Sequence, residues 1–161
     1  MFYIVESDSQ IEKLKSYGKS GYVEIISNND YIHPKLSTTV ALYIRPLKSN
    51  KGYILPIDHD EGINISKERV SQVLESFDTL YTLNRKDFIY HFNTLGLIDI
   101  SLIYSMIEYD RLDIFHSNMT YNYFYSKNFN FKDINKLIPL SKHHEKCEEN
   151  FSKIKDILVK D

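Results

Sequence analysis

Asp58-His59-Asp60-Glu61 is the densest group of potential metal ligands in the chain, and it lies just before Gly62. Carboxylates and a neutral imidazole suit a divalent cation, and a turn at a strand end is a place where sites form. Neighbours in one loop still need partners from elsewhere to converge on an ion, so the string reads as a solvated turn in which His59 packs or caps. Cys147, the sole cysteine, follows His143 and His144 by one helical turn, close enough for a base to reach a thiol. It also belongs to the apolar series Cys147, Phe151, Ile154 and Leu158, which reads as a buried thiol. His143 with Glu148, and His144 with Glu149, share an H-x-x-x-x-E spacing that a solvated charged helix face produces equally well. Glu24 interrupts an apolar run (YVEII), on a ligand-facing sheet surface or, the simpler reading, on an exposed edge. The chain has no glycine-rich phosphate loop, no G-x-S-x-G and no H-E-x-x-H.

The elements that must position these residues follow from periodicity. An extended segment over Phe2–Val5 leads to a helix from Asp8 to Tyr17, where Ser7 and Gln10 have capping-box spacing and Gly18 is a natural stop. Tyr22–Ser27, Thr39–Arg45 and Gly52–Ile57 are strand candidates, with Lys48–Lys51 a hairpin turn between the last two. Ser66 opens a helix with Val70, Val73, Leu74 and Phe77 on one face. A strand over Thr79–Leu83 comes next, followed by a helix over Lys86–Asn93 with Phe88, Ile89 and Phe92 inward. Ile98–Tyr109 reads as a helix entered through Asp99, residues 113–131 as loop and short helix, and Ser141–Val159 as a closing helix. Hairpin strands followed by alternating helix and strand give an α/β order.

Composition bounds the function. A chain of 161 residues is sized for one domain, residues 1–161, and 42% apolar with 26% charged side chains is the balance of a globular protein. Twenty basic against twenty-two acidic residues leave a net charge of −2, which excludes a nucleic-acid module working by bulk positive charge. Ile, Asn, Lys, Tyr and Phe are the residues of AT-rich codons, so the thirteen tyrosines speak for the genome before they speak for base stacking. Tyr43, Arg45, Lys48, Lys51 and Tyr53 interleave base and ring on the hairpin, a surface whose nucleic-acid binding would be weak and salt-sensitive. The apolar runs near Val40–Ile44 and Ile100–Ile107 are too short to span a membrane, and the N-terminus lacks a signal-peptide pattern. One cysteine allows no intramolecular disulfide, and a cytoplasmic location is the expectation.

Several segments are similar, in the same order, to the 3′–5′ proofreading exonuclease domain of family A (Pol I-type) DNA polymerases. The stretch from Phe2 to Ile26 resembles that family's opening segment, first helix and first sheet strand. VALYIRPLKSNKGYILPIDHDEG resembles its second and third strands, with Tyr53–Pro56 and His59 at the end of the third. ISKERVSQVLESF resembles the next helix, TLNRKDF the N-x-K-x-D segment, and LIDISLIYSM the helix start near the fifth strand. The likeness is good over residues 2–107 and weak over 108–161. It implies a ribonuclease H-like fold: a mixed sheet whose first three strands are antiparallel, followed by helical crossovers.

The family's chemistry needs carboxylates that hold two divalent cations about 4 Å apart. Its first strand ends in D-x-E, which falls here on Ile26 and Asn28, and the N-x-K-x-D carboxylate falls on Phe88. Neither an alkyl chain nor a phenyl ring ligates a hard cation. The resemblance therefore implies a catalytically inactive exonuclease-like domain with no cofactor, of the kind found beside a polymerase; the AT-rich codon bias and compact size would suit a phage or similar replicon. Its partners would be a polymerase domain or a replication accessory protein and, weakly, DNA; Asn84, Lys86, Arg45 and Tyr53 are the contact candidates. An active nuclease with relocated ligands would use Glu24, Asp87, Asp99 and Glu148 with Mg2+ or Mn2+. A protein-interaction module unrelated to nucleic acid is the third reading, which a sizeable exposed aromatic patch at Tyr121–Phe131 would favour.

Overall fold

The computed structural model describes residues 3–28, 38–83, 85–94, 96–100 and 134–160. Helix α1 (Asp8–Tyr17) starts at Ser7, whose hydroxyl accepts from the Gln10 amide while the Gln10 side chain accepts from the Ser7 amide. It stops at Gly18, which takes the left-handed conformation (φ 49°) that ends many helices. Strand β1 (Ser20–Ser27) follows, then β2 (Thr39–Pro46) and β3 (Tyr53–Pro56). Helix α2 (Lys67–Glu75) is capped by the Ser66 hydroxyl, which accepts from the Arg69 amide. Strand β4 (Thr79–Thr82), helix α3 (Arg85–His91), strand β5 (Leu97–Asp99), helix α4 (Ile134–Leu137) and helix α5 (Leu140–Lys160) complete the order.

The protein is α/β, and its described residues build a mixed five-stranded sheet in the order β3-β2-β1-β4-β5. β1 pairs antiparallel with β2, and β2 with β3; β1–β4 and β4–β5 are parallel. The segment before α1 borders β3 through an Ile4–Ile54 bridge, and Val5 donates its amide to the Ile54 carbonyl at 3.0 Å. Alternation along β1 sends Val23 and Ile25 to one face and Tyr22 and Ile26 to the other. The first face packs on Ile11 and Leu14 of α1, on Val70, Val73 and Leu74 of α2, and on Phe88. The second packs on Leu140, Cys147, Phe151, Ile154 and Leu158 of α5. Among the described residues no helix is long and apolar enough to cross a membrane.

Three expectations are corrected. Glu24 is not on an exposed edge: β1 is the central strand, covered by helices on both faces, and Glu24 is 6% exposed. Leu97–Asp99 does not open a helix; it pairs with β4 as β5, and the backbone turns helical only at Ile100. Ile89 is not inward, because α3 buries Phe88, and a residue one step on is rotated by about 100° to the outside, where Ile89 is 37% exposed. The loop expected over 113–131, the aromatic patch at Tyr121–Phe131 and the helix beyond Ile100 lie outside the described residues.

Candidate functional site

Two buried polar groups interrupt the apolar layer beneath α5, and the first is centred on Glu24. Tyr22 donates its phenol to Glu24 Oε2 at 2.9 Å, and Asn150 of α5 donates its amide to both carboxylate oxygens at 3.1 and 3.3 Å. Asn150 and Cys147 are fully buried. Burial first, and then the Glu24 charge, hold the Tyr22 phenol and the Cys147 thiol well above their ordinary pKa values. Both stay protonated at neutral pH, so the buried-thiol reading of Cys147 holds. An Asn150→Ala change leaves the buried carboxyl with one donor fewer and is expected to cost about 3 kcal/mol in urea unfolding. Glu24→Gln, which keeps a partner for Asn150, is expected to cost less; the reverse ranking would show that the pair does not hold α5 down.

The positions where the resemblance places the family's carboxylates do not meet. Ile26 is fully buried in the layer under α5, whereas Phe88, 1% exposed, is in the layer on the opposite face. Asn28 is 4% exposed, and its side-chain oxygen has no hydrogen-bond partner among the described residues. The relocated candidates are also dispersed. Asp99 accepts from the Arg85 amide at 3.4 Å, and the Asp87 side chain lies outside the described residues. Glu148 accepts from the Gly52 amide at 2.8 Å and from His144 Nε2 at 3.1 Å, and pairs with Arg45. Burial alone would raise its pKa; the His144 bond, the Gly52 amide and the Arg45 charge outweigh that and hold it down at about 2. No three His, Cys, Asp or Glu side chains converge as metal ligands among the described residues.

Of the nucleic-acid contact candidates, Lys86 is exposed on α3, and Asn84 lies outside the described residues. Arg45 points inward: its guanidinium pairs with Glu148 and lies 4.5 Å from the Phe151 ring centre. Tyr53 is 9% exposed and lines a cavity of about 120 Å³ with Gln10, Lys13, Leu14 and Lys51.

The second polar group gathers at the C-terminal end of β1, and most of it escaped the sequence reading. His59 does pack and cap as expected: it is 4% exposed, and its Nδ1 accepts from the Glu61 amide at 2.9 Å. His143, read as part of a solvated helix face, is instead fully buried against it, with ring centres 6.0 Å apart. The signal was present, because His143 lies four residues before Cys147 and extends the same buried stripe by one turn. Asn135 donates its side-chain amide to the Ser27 carbonyl at the end of β1. Nearby, His91 Nδ1 meets the Thr39 hydroxyl at 2.6 Å, and burial, then the Lys67 charge, lower its pKa to about 4.

In comparisons with known proteins, no family model and no curated protein matches this chain.

Proposed function

We propose that this chain is a catalytically inactive, ribonuclease H-like domain related to the 3′–5′ exonuclease domain of family A DNA polymerases, acting in DNA replication as a structural, partner-contacting or DNA-contacting module. The strand directions support the fold reading, with three antiparallel strands followed by two parallel ones reached through helices. The observation that carries the loss of activity is the sealing of Ile26 beneath α5 while Phe88 faces the other layer. Those two positions supply neither charge nor a common point at which a cation would be held. Ile89 and Tyr90, exposed side by side on α3, support the partner-contacting role.

The test is incubation of the protein with labelled single-stranded and 3′-recessed oligonucleotides, in magnesium and then in manganese. No shortening is expected, with retention of the single strand at low salt that fades as salt is raised. Metal-dependent shortening that disappears in Glu24→Gln or Asp99→Asn would overturn the inactive reading in favour of relocated ligands. Neither shortening nor retention would leave a protein-binding role.

A further inference from the structure

His59 and His143 hold the short connection that leads into α5. His59 Nε2 lies 2.7 Å from the Ile138 carbonyl oxygen, and His143 Nε2 lies 2.9 Å from that of Asn135. A carbonyl only accepts, so both Nε2 atoms carry a proton. Because His59 Nδ1 accepts from the Glu61 amide, a second proton on that ring would set donor against donor. Both carbonyls belong to α4 and the turn after it. That same segment is tied to the sheet by the bond from Asn135 to Ser27, and to the loop after β3 by the Asp60 amide, 3.4 Å from the Lys136 carbonyl.

We infer that His59 and His143 form an acid-sensitive latch: neutral, they fasten residues 135–140 to the end of the sheet, and protonated, they release that segment together with the start of α5. This inference does not rest on the nucleic-acid reading. The charged groups around His143 favour release in acid. His143 is faced by Lys146 from its own helix and by His59 from the loop. Beside His59, Asp58 is engaged by Lys136 of α4 at 3.4 Å, Asp60 is exposed and Glu61 is half-buried. Burial first, then Lys146, lower the His143 pKa to about 3, with the Asn135 carbonyl working the other way.

The sign follows from linkage. In the open form His143 regains an ordinary pKa near 6.5, so the open form binds more protons than the closed one below that pH. The closed form therefore has its full advantage above about pH 6.5 and loses it by about tenfold per pH unit as pH falls towards 3.

Cys147 reports the opening, being the only thiol in the chain and fully buried under α5 one turn beyond His143. The measurement is its rate of reaction with 4,4′-dithiodipyridine, which works in acid, relative to urea-unfolded protein at the same pH. Between pH 7 and 4.5 the relative rate is expected to rise about 100-fold with an unchanged far-UV spectrum. His59→Gln with His143→Gln keeps a donor at each site and takes no proton, so its profile should be flat; His91→Gln should keep the wild-type rise. A flat wild-type profile, an equal rise in the double variant, or a rise that coincides with loss of helix signal would each overturn the latch. If the double variant does not fold, amide exchange of Glu61 in the wild type decides. Its protection should collapse over the same pH range while amides of β1 and β2 stay protected, and equal loss in both would overturn the inference.

Discussion

Ile26→Asp is expected to cost the fold about 5 kcal/mol, a large share of the roughly 5–15 kcal/mol that keeps a domain folded. Ile26 is fully buried between β1 and α5, so the change loses the packing of a branched aliphatic side chain and adds a second carboxyl to a layer that already holds Glu24. In urea, where slopes are about 2 kcal/mol per molar, the midpoint should drop by about 2.5 M. Ile26→Val, which removes one methylene, should cost about 1 kcal/mol. The experiment is also a test of descent. If the aspartate variant were as stable as the parent and Mn2+ raised its midpoint further, position 26 would be an open ligand site and the reading of a sealed, inactive domain would fail.

Gly52→Ala is expected to cost about 3 kcal/mol, a fall in melting temperature of about 6–12 °C. An alanine Cβ at this position would lie 2.2 Å from the Tyr43 hydroxyl and 2.3 Å from its ring carbons. Tyr43 has nowhere to retreat, because it is fully buried and its ring packs edge-on against Tyr22 at 6.2 Å and His144 at 5.8 Å. The backbone of Gly52 is held in place as well, its amide by Glu148 at 2.8 Å and its carbonyl by His144 at 3.0 Å. Displacing it would loosen the junction between the β2–β3 hairpin and α5. Shrinking the opposing ring should relieve the clash, so Tyr43→Leu and Gly52→Ala together should cost clearly less than the sum of the two alone. Additive costs in a double-mutant cycle would show that the close approach of Tyr43 is not why glycine stands there.

Features set by near neighbours were legible in the sequence. Ser7 with Gln10 and Ser66 with Arg69 are local bonds within one helical turn, and both helix starts fall where that chemistry places them. The stripe Cys147, Phe151, Ile154 and Leu158 is a matter of period, and it is buried as read. What was hidden depends on partners far along the chain. The same apolar run around Glu24 suits an edge or a central strand, and only the pairing of β1 with both β2 and β4 decides between them. Arg45 looked available for phosphate because its partner Glu148 is 103 residues away. The short run Leu97–Asp99 becomes a strand only because β4 offers its edge. That Ile26 and Phe88 belong to different layers follows from tertiary packing, which no spacing within a motif can express.

The division of labour between the two faces of the sheet sets an order of events during synthesis. The face carrying Val23 and Ile25 is covered by α1 and α2, whose residues are all made before residue 76. The face carrying Tyr22, Ile26 and Ile54 is covered by α5, which begins only at Leu140. At about 5–20 residues per second, a nascent chain that has finished β3 waits roughly 4–17 seconds before α5 starts to be made. Throughout that interval the antiparallel strands can pair and fold against the early helices while their second surface still lacks α5. A chain stalled or cleaved before Leu140 would lack the α5 side chains that pack on Tyr22, Ile26 and Ile54, and so would be suited to capture by a chaperone or by a second stalled copy. The last helix thus converts a sticky half-domain into a finished one.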